Sequence, residues 1–206
     1  MKEVAISIHA TEDFSLDILE EIQGYDYFHV DIMDGKFVDS RKNNLDIFKL
    51  LRTYNNIPII GHFMVMDPLS YFKKVLDNID VFTFHIEVND QSLLYIKKIK
   101  KFNKKVGIAI NPDTEVNKIV PYIDLVDLVL IMGVHPGYSG QKFIPETAHK
   151  VDELIPYKED FNFKIEVDGG VNLINAKMLN CDILSSASTI FKAENPSEVI
   201  KILKES

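Results

Sequence analysis

The chain has 206 residues, 46% hydrophobic and 26% charged, the composition of a folded globular protein rather than a disordered or fibrous one. Its 23 basic and 31 acidic residues give a formal net charge of −8; this argues against non-specific attraction to nucleic acid or an anionic membrane, while a local phosphate pocket stays open. The single cysteine, Cys181, excludes an internal disulfide, no apolar run approaches the roughly 18 residues of a membrane span, and Val4–Ile8 is too short for a secretory signal, so a cytoplasmic protein is expected.

In chain order, short β-rich runs alternate with longer helical patterns. A strand is predicted at Val4–Ile8 and a helix at Ser15–Ile22. Strand–helix pairs follow at Tyr27–Met33 and Asn44–Thr53, Ile57–Val65 and Leu69–Asn78, and Val81–Glu87 and Ser92–Phe102. Strands at Lys105–Ile110 and Leu125–Met132 precede a helix at Pro145–Leu154. A strand at Phe163–Val167, a helix at Leu173–Leu179, a strand at Asp182–Ser186 and a helix at Ser197–Leu203 complete the chain. Asp67-Pro68, Ile144-Pro145 and Asn195-Pro196 are predicted helix starts, because proline suits the first turn.

Alternation of this kind implies a parallel sheet with helical crossovers. Eight strands in 206 residues predict an α/β fold, a (β/α)8 TIM barrel forming a single domain over residues 1–206. The main competitor, an open doubly wound sheet, usually carries a glycine-rich first turn; neither G-x-G-x-x-G nor G-x-x-x-x-G-K-[ST] occurs.

The strand Tyr27–Met33 is the most informative. Alternate residues of a strand face the same way, so Phe28, Val30 and Ile32 form an apolar face for packing under helices. His29, Asp31 and Met33 share the other face, which points inward in a closed barrel. A buried carboxylate without partners costs on the order of several kcal/mol, and a metal ion is a natural compensation. The bland alternative is the solvated face of an open sheet. Later strands repeat the pattern: His62 with Met64, then Thr83, His85 and Glu87, then Lys164, Glu166 and Asp168. Polar residues thus gather at the C-terminal ends of four strands, the active-site face of a TIM barrel. His29, Asp31, His62 and Asp168 offer two imidazoles and two carboxylates. That donor set suits Zn²⁺, Fe²⁺, Mn²⁺ or Co²⁺, and it lacks the thiolates of a closed structural zinc site. His85 and Glu87 are expected behind these ligands, orienting them.

Phosphate binding is the second theme. His135-Pro136-Gly137-Tyr138-Ser139-Gly140-Gln141-Lys142-Phe143 follows the sixth strand, Gly169-Gly170 the seventh and Ala187-Ser188-Thr189 the eighth. Glycines let a loop turn tightly and present N–H groups to an anion, and loops after strands 7 and 8 commonly hold phosphate on this fold.

The ordered segments HVDIMDGKFV (29–38), HFMVMDP (62–68), FTFHIE (82–87), GIAINPDT (107–114), MGVHPGYSGQKFIPET (132–147) and IEVDGGVN (165–172) resemble those of the ribulose-phosphate 3-epimerase family over nearly the whole chain. The resemblance implies a divalent metal on His29, Asp31, His62 and Asp168, with Asp31 and Asp168 as the acid/base pair. It also implies phosphate held by Gly137, Tyr138, Ser139 and Gly140, by Gly169 and Gly170, and by Ala187 and Ser188, with Ser7 and His62 at the substrate. Met33, Met64 and Met132 would wall the site against water, or simply fill the core. The implied reaction inverts C3 of a ketose phosphate, D-ribulose 5-phosphate to D-xylulose 5-phosphate, by two-carboxylate proton transfer through a metal-stabilised enediolate. That places the protein in carbohydrate metabolism, within the pentose phosphate pathway, as a cytoplasmic isomerase. Its partner would be a small ketose phosphate, with no nucleic acid or membrane, and the family implies a homo-oligomer.

The rim departs from the family pattern. His9 stands where leucine is expected, Asp39-Ser40 where Pro-Asn is usual, His135 for asparagine and Ala187 for glycine. These changes bear on sugar identity rather than reaction type. A hexulose-phosphate epimerase acting on allulose 6-phosphate, and a non-catalytic sugar-phosphate binder, are the alternatives. A relative of orotidine-phosphate decarboxylase is disfavoured, because Met33 stands where its Asp-x-Lys-x-x-Asp array has lysine.

Overall fold

The computed structural model describes residues 1–138 and 140–206; Ser139, expected in a phosphate loop, lies outside them. Among the described residues the strands are β1 (Glu3–His9), β2 (Tyr27–Asp34), β3 (Arg41–Lys42), β4 (Ile59–Met64), β5 (Val81–His85), β6 (Lys105–Ile110), β7 (Leu128–Met132), β8 (Lys164–Asp168) and β9 (Ile183–Ser186). The α-helices are α1 (Asp46–Tyr54), α2 (Pro68–Val75), α3 (Ser92–Lys100), α4 (Thr147–Leu154), α5 (Ser188–Phe191) and α6 (Pro196–Glu205). Parallel pairing runs from β1 through β9, β8, β7, β6, β5 and β4 to β2, and β2 pairs back to β1. Eight strands therefore close into a (β/α)8 barrel. The short β3 lies outside it, antiparallel to β2, with Met33 opposite Lys42 and Asp34 opposite Arg41.

The strands read as nearly continuous apolar runs because helices cover one face and the barrel fills the other. Phe28, Val30 and Ile32 are fully buried in the layer between strands and helices. Phe63 of β4 stacks on Phe82 of β5 at 4.0 Å and on Phe48 of α1 at 5.9 Å, and Phe72 of α2 meets Phe82 edge-on at 5.2 Å. Each such buried phenyl ring stabilises the fold by roughly 1.5–3 kcal/mol. Inside the barrel, Ala5, Ile60, Val81, Leu128 and Ile183 form an apolar layer near its N-terminal end. The expected helix starts at Asp67-Pro68 and Asn195-Pro196 are formed: Asp67 accepts the N–H of Ser70 at 3.3 Å and Asn195 that of Glu198 at 3.1 Å.

At the N-terminal end an aspartate recurs beside every second strand. Asp26, Asp80, Asp127 and Asp182 accept the backbone N–H of Val4, Ile59, Val106 and Ile165 at 2.8, 2.7, 2.8 and 2.7 Å. Each returns its own N–H to the carbonyl of the same residue, at 2.8, 3.0, 2.8 and 2.9 Å. Four strand pairs are thus stitched by the same reciprocal clasp, a repeat hidden under the βα rhythm.

Several elements differ from the sequence reading. Ser15–Ile22 holds only a 3-10 turn, Leu16–Leu19, whose one buried residue is Leu19. Leu173–Leu179 holds another, Asn175–Met178. Leu125–Asp127 is not strand, because a 3-10 segment with Pro121 in its first turn runs through Val120–Leu125. Lys164 does not join Glu166 and Asp168 at the C-terminal end. It caps the opposite end, ion-paired to Glu3 and donating to the Tyr27 hydroxyl at 2.9 Å. Among the described residues no helix is long and apolar enough to cross a membrane.

Candidate active site

The alternation along β2 points His29 and Asp31 into the barrel, and the β2–β4 register sets Asp31 directly beside His62. Register also sets Asp168 of β8 beside Met132 of β7. All four expected ligands are buried, and one donor atom from each of His29, Asp31, His62 and Asp168 lies within 4.8 Å of the others.

The contacts explain why these atoms suit a cation. His29 Nδ1 lies 2.7 Å from Glu166 Oε1, so a hydrogen on that nitrogen is donated to the carboxylate. The Nε2 lone pair of His29 then points inward, 3.2 Å from Asp31 Oδ1 and 3.3 Å from His62 Nδ1. His62 Nδ1 is itself 2.7 Å from Asp31 Oδ1. Two ring nitrogens and a carboxylate oxygen converge with too few hydrogens among neutral imidazoles to bridge them. A positive charge is what this cluster lacks, and a divalent metal with nitrogen and oxygen ligands fits it.

The electrostatics agree. Burial opposes charge on His29, yet Glu166, Asp168 and Asp31 outweigh it and draw its pKa well above the usual imidazole value. Burial pushes Asp31 up, but His29 and His62 hold it well below the usual carboxylate range. Burial brings His62 down to about 4 and raises Asp168 to about 7, helped there by Asp31 and Glu166 against the pull of His29. Two carboxyl groups in one site are thus pushed apart in acidity, the arrangement that divides proton acceptor from proton donor.

Above the cluster opens a cleft, with Asp31 and Asp168 lining it among Ser7, Met33, Met64 and Met132. Ser7 Oγ donates to Asp31 Oδ2 at 3.1 Å. Gly137, Tyr138, Gly140, Gly169, Gly170, Ala187 and Ser188 line the cleft. Gly169 and Gly170 adopt φ of +101° and +68°, and a Cβ on Gly170 would fall 2.9 Å from the Phe143 nitrogen, so only glycine fits there. Gln141 staples its loop by donating to the carbonyls of His135 and Tyr138 at 2.6 and 2.9 Å. Thr189 ties the last two loops together through the Val171 carbonyl at 2.7 Å.

His85 and Glu87 stand behind His62, outside the cleft lining. Among the rim departures, His9 lines the cleft, its Nε2 3.8 Å from Asp31 Oδ2, and its other ring nitrogen meets Lys42 Nζ. Ala187 lines it too, with an ordinary φ of −109° that needs no glycine. Asp39, Ser40 and His135 do not line it, and His135 faces Asp113 on the surface at 3.6 Å. Two residues contribute roles that the sequence pattern does not assign. Glu166 holds His29; its signal was a carboxylate two residues before Asp168 on the same strand face. Phe37 packs over His85 at 4.8 Å and against Met33 and Met64. It sits in the loop that Asp34 shapes by accepting the N–H groups of Lys36 and Phe37 at 2.8 and 2.9 Å.

The profile of the Ribulose-phosphate 3 epimerase family matches residues 3–191. The chain belongs to the ribulose-phosphate 3-epimerase family. It is an epimerase, an enzyme of the isomerase class. Its similar relatives include a ribulose-phosphate 3-epimerase of Methanocaldococcus jannaschii, 35% identical over 190 residues, which span 90% of this chain and 81% of the relative. The cytoplasmic isoform of Oryza sativa subsp. japonica is 36% identical over 193 residues, 89% of this epimerase and 83% of the relative. The Mycobacterium bovis protein of the same name is 30% identical over 214 residues, covering 98% and 91%. Among solved structures, KGPDC from Streptococcus mutans superposes with a TM-score of 0.74 at 13% identity, covering 100% of this chain and 96% of that one. Orotidine 5'-monophosphate decarboxylase from Methanocaldococcus jannaschii gives 0.65 at 19% identity, covering 100% and 98%. These structural likenesses speak to the barrel alone.

Proposed function

We propose that this epimerase inverts C3 of D-ribulose 5-phosphate to give D-xylulose 5-phosphate, with Asp31 and Asp168 as the proton-transfer pair. The observation that carries the reading is the convergence of those two carboxyl groups, of opposed acidity, in the floor of one cleft.

The C3–H of a 2-ketose is acidified by the neighbouring C2 carbonyl. Asp31, kept ionised by His29 and His62, accepts the C3 proton from one face as the electron pair moves onto the C2 oxygen, giving an enediolate. Asp168, raised to about 7, delivers a proton to C3 from the other face, and the electron pair returns to carbon. In the reverse direction the two exchange roles. His29, Asp31, His62 and Asp168 would hold a divalent cation, which supplies positive charge against the negative charge developing on the sugar oxygens. Met33, Met64 and Met132 exclude water from the reacting carbon. The loops at Gly137–Gly140, Gly169-Gly170 and Ala187-Ser188 orient the phosphate through backbone N–H groups.

Steady-state assay of both ketose phosphates tests the reading. The proposal expects a higher kcat/KM for D-ribulose 5-phosphate than for allulose 6-phosphate. It also expects activity to vanish on chelation and return with a single added metal among zinc, iron(II), manganese and cobalt. Preference for the hexulose phosphate would move the substrate by one carbon, and binding without turnover would reduce the protein to a sugar-phosphate binder.

A further inference from the structure

We infer that Glu87, acting through His85, decides which ring nitrogen of His62 carries its hydrogen and so keeps His62 Nδ1 open as a donor to the cation. This rests on the metal site proposed above and assigns Glu87 a positioning role in it.

The chain of contacts has four links. Glu87 lies in the 3-10 turn Ile86–Val88 after β5. Its Oε1 accepts the backbone N–H of Asn111 at 2.7 Å, and its Oε2 faces His85 Nδ1 at 3.0 Å. His85 Nε2 faces His62 Nε2 at 2.8 Å, and His62 Nδ1 faces Asp31 Oδ1 at 2.7 Å.

The direction of these bonds follows from the outer end. A backbone N–H can only donate, so Glu87 Oε1 is an acceptor, and the carboxylate turns a second acceptor toward His85. His85 therefore carries its hydrogen on Nδ1, which leaves Nε2 as a bare acceptor. The hydrogen between the two Nε2 atoms must then come from His62. With its one hydrogen committed outward, neutral His62 presents a lone pair at Nδ1 to the cluster. In the reversed chain, His62 would place an Nδ1–H on Asp31 Oδ1 and withdraw both atoms from the ligand set. At 2.7 Å Asp31 competes for that hydrogen from the inner end, and Glu87 is the outer carboxylate that opposes it through His85.

The surroundings hold the relay in place. The His85 ring sits 5.0 Å from the His62 ring on one side and 4.8 Å from Phe37 on the other. Lys150 Nζ donates to the carbonyls of Asn111, Pro112 and Thr114 at 3.1, 2.5 and 2.6 Å, which pins the loop supplying the Asn111 N–H. His29 has the simpler version, with Glu166 bonded directly to its outer nitrogen. Each imidazole ligand thus ends on a carboxylate, His62 by one extra relay ring.

Glu87→Gln tests this with little change in shape. Glutamine keeps an oxygen for the Asn111 N–H but turns an NH₂ donor toward His85 Nδ1, which drives the chain into reverse. Long-range ¹H–¹⁵N NMR of the metal-free protein, labelled at histidine, reads the tautomers directly. The inference expects Nε2–H at His62 and Nδ1–H at His85 in the unaltered protein, and the opposite pair in Glu87→Gln. Zinc affinity, measured by competition with a chelating dye, should fall roughly 10–100-fold in the variant, with the His29 signals unmoved. An unaltered protein carrying the His62 hydrogen on Nδ1 overturns the inference. So does a Glu87→Gln protein with unchanged tautomers and zinc affinity. If the variant does not fold, the spectrum of the unaltered protein decides alone. Neither readout involves sugar, so a protein that shows this tautomer and binds zinc but does not turn over ketose phosphate upholds the inference while the proposed reaction fails.

Discussion

Replacing Asp168 by asparagine removes one of the two carboxyl groups proposed to act on C3 of the substrate while preserving size and a neutral, hydrogen-bonding end. Asp168 is the member of the pair whose pKa burial raises in the metal-free protein, to about 7 against an ordinary 3.8, which makes it the carboxyl group better suited to giving a proton. The amide cannot pass that proton to carbon. A positioned general acid or base contributes about 10²–10⁴-fold to rate, and kcat of Asp168→Asn with saturating metal should fall by that factor. The same variant should uncouple two events that the proposed mechanism joins, exchange at C3 and interconversion. Asp31 remains, so in D₂O the C3 hydrogen of the one epimer facing it still exchanges, while the other epimer stays protonated and neither converts. Proton NMR started separately from D-ribulose and D-xylulose 5-phosphate reads both events. Interconversion within tenfold of the unaltered enzyme, or equal exchange from both epimers, refutes the two-carboxylate reasoning.

Other consequences follow from the same geometry. Removing the metal should lower thermal stability: at a metal concentration of 100 Kd binding adds about 2.7 kcal/mol, so chelation should drop Tm by roughly 5–10 °C for a chain of this size. An unmoved Tm with added zinc would argue against a metal at the cluster. In the metal-free protein, the raised pKa of Asp168 stabilises the fold at low pH; that contribution is complete below the ordinary value of 3.8 and is lost as pH rises through about 7. Asp168→Asn stays neutral throughout, so its metal-free Tm should gain on the unaltered protein between about pH 4 and 7 and run level with that gain above it; parallel pH profiles across this range would contradict this. Asp127→Ala leaves the Val106 N–H without its carboxylate and should cost about 1–3 kcal/mol, a Tm loss of several degrees, with kcat at 25 °C unchanged. Loss of turnover in the folded variant would show that the clasp at the barrel's other end reaches the site.

Much of the site was readable because β2 is strictly alternating. Once His29 and Asp31 face inward, a closed barrel brings them to His62 and Asp168 through strand register alone. The elements that went unread depend on contacts between distant residues. The strand Arg41–Lys42 is two residues long and exists only because it meets the end of β2, too short for any pattern. Ser15–Ile22 has helical spacing, but only Leu19 of its 3-10 turn is buried, and one anchor cannot sustain a helix against the cost of nucleation. Glu166 was visible on the correct strand face, yet its role comes from lying 2.7 Å from a nitrogen 137 residues away in the chain. The aspartate clasps were likewise unreadable, since a lone Asp before a strand is common in loops and only the paired backbone bonds reveal the repeat.

Incubating the metal-loaded enzyme with D-ribulose 5-phosphate in D₂O, and following C3 by proton NMR, most directly tests the central claim. The account predicts that D-xylulose 5-phosphate forms with deuterium at C3 while all other carbon-bound hydrogens are retained. Unchanged D-ribulose 5-phosphate with its C3 hydrogen intact, in the presence of bound metal, would contradict it.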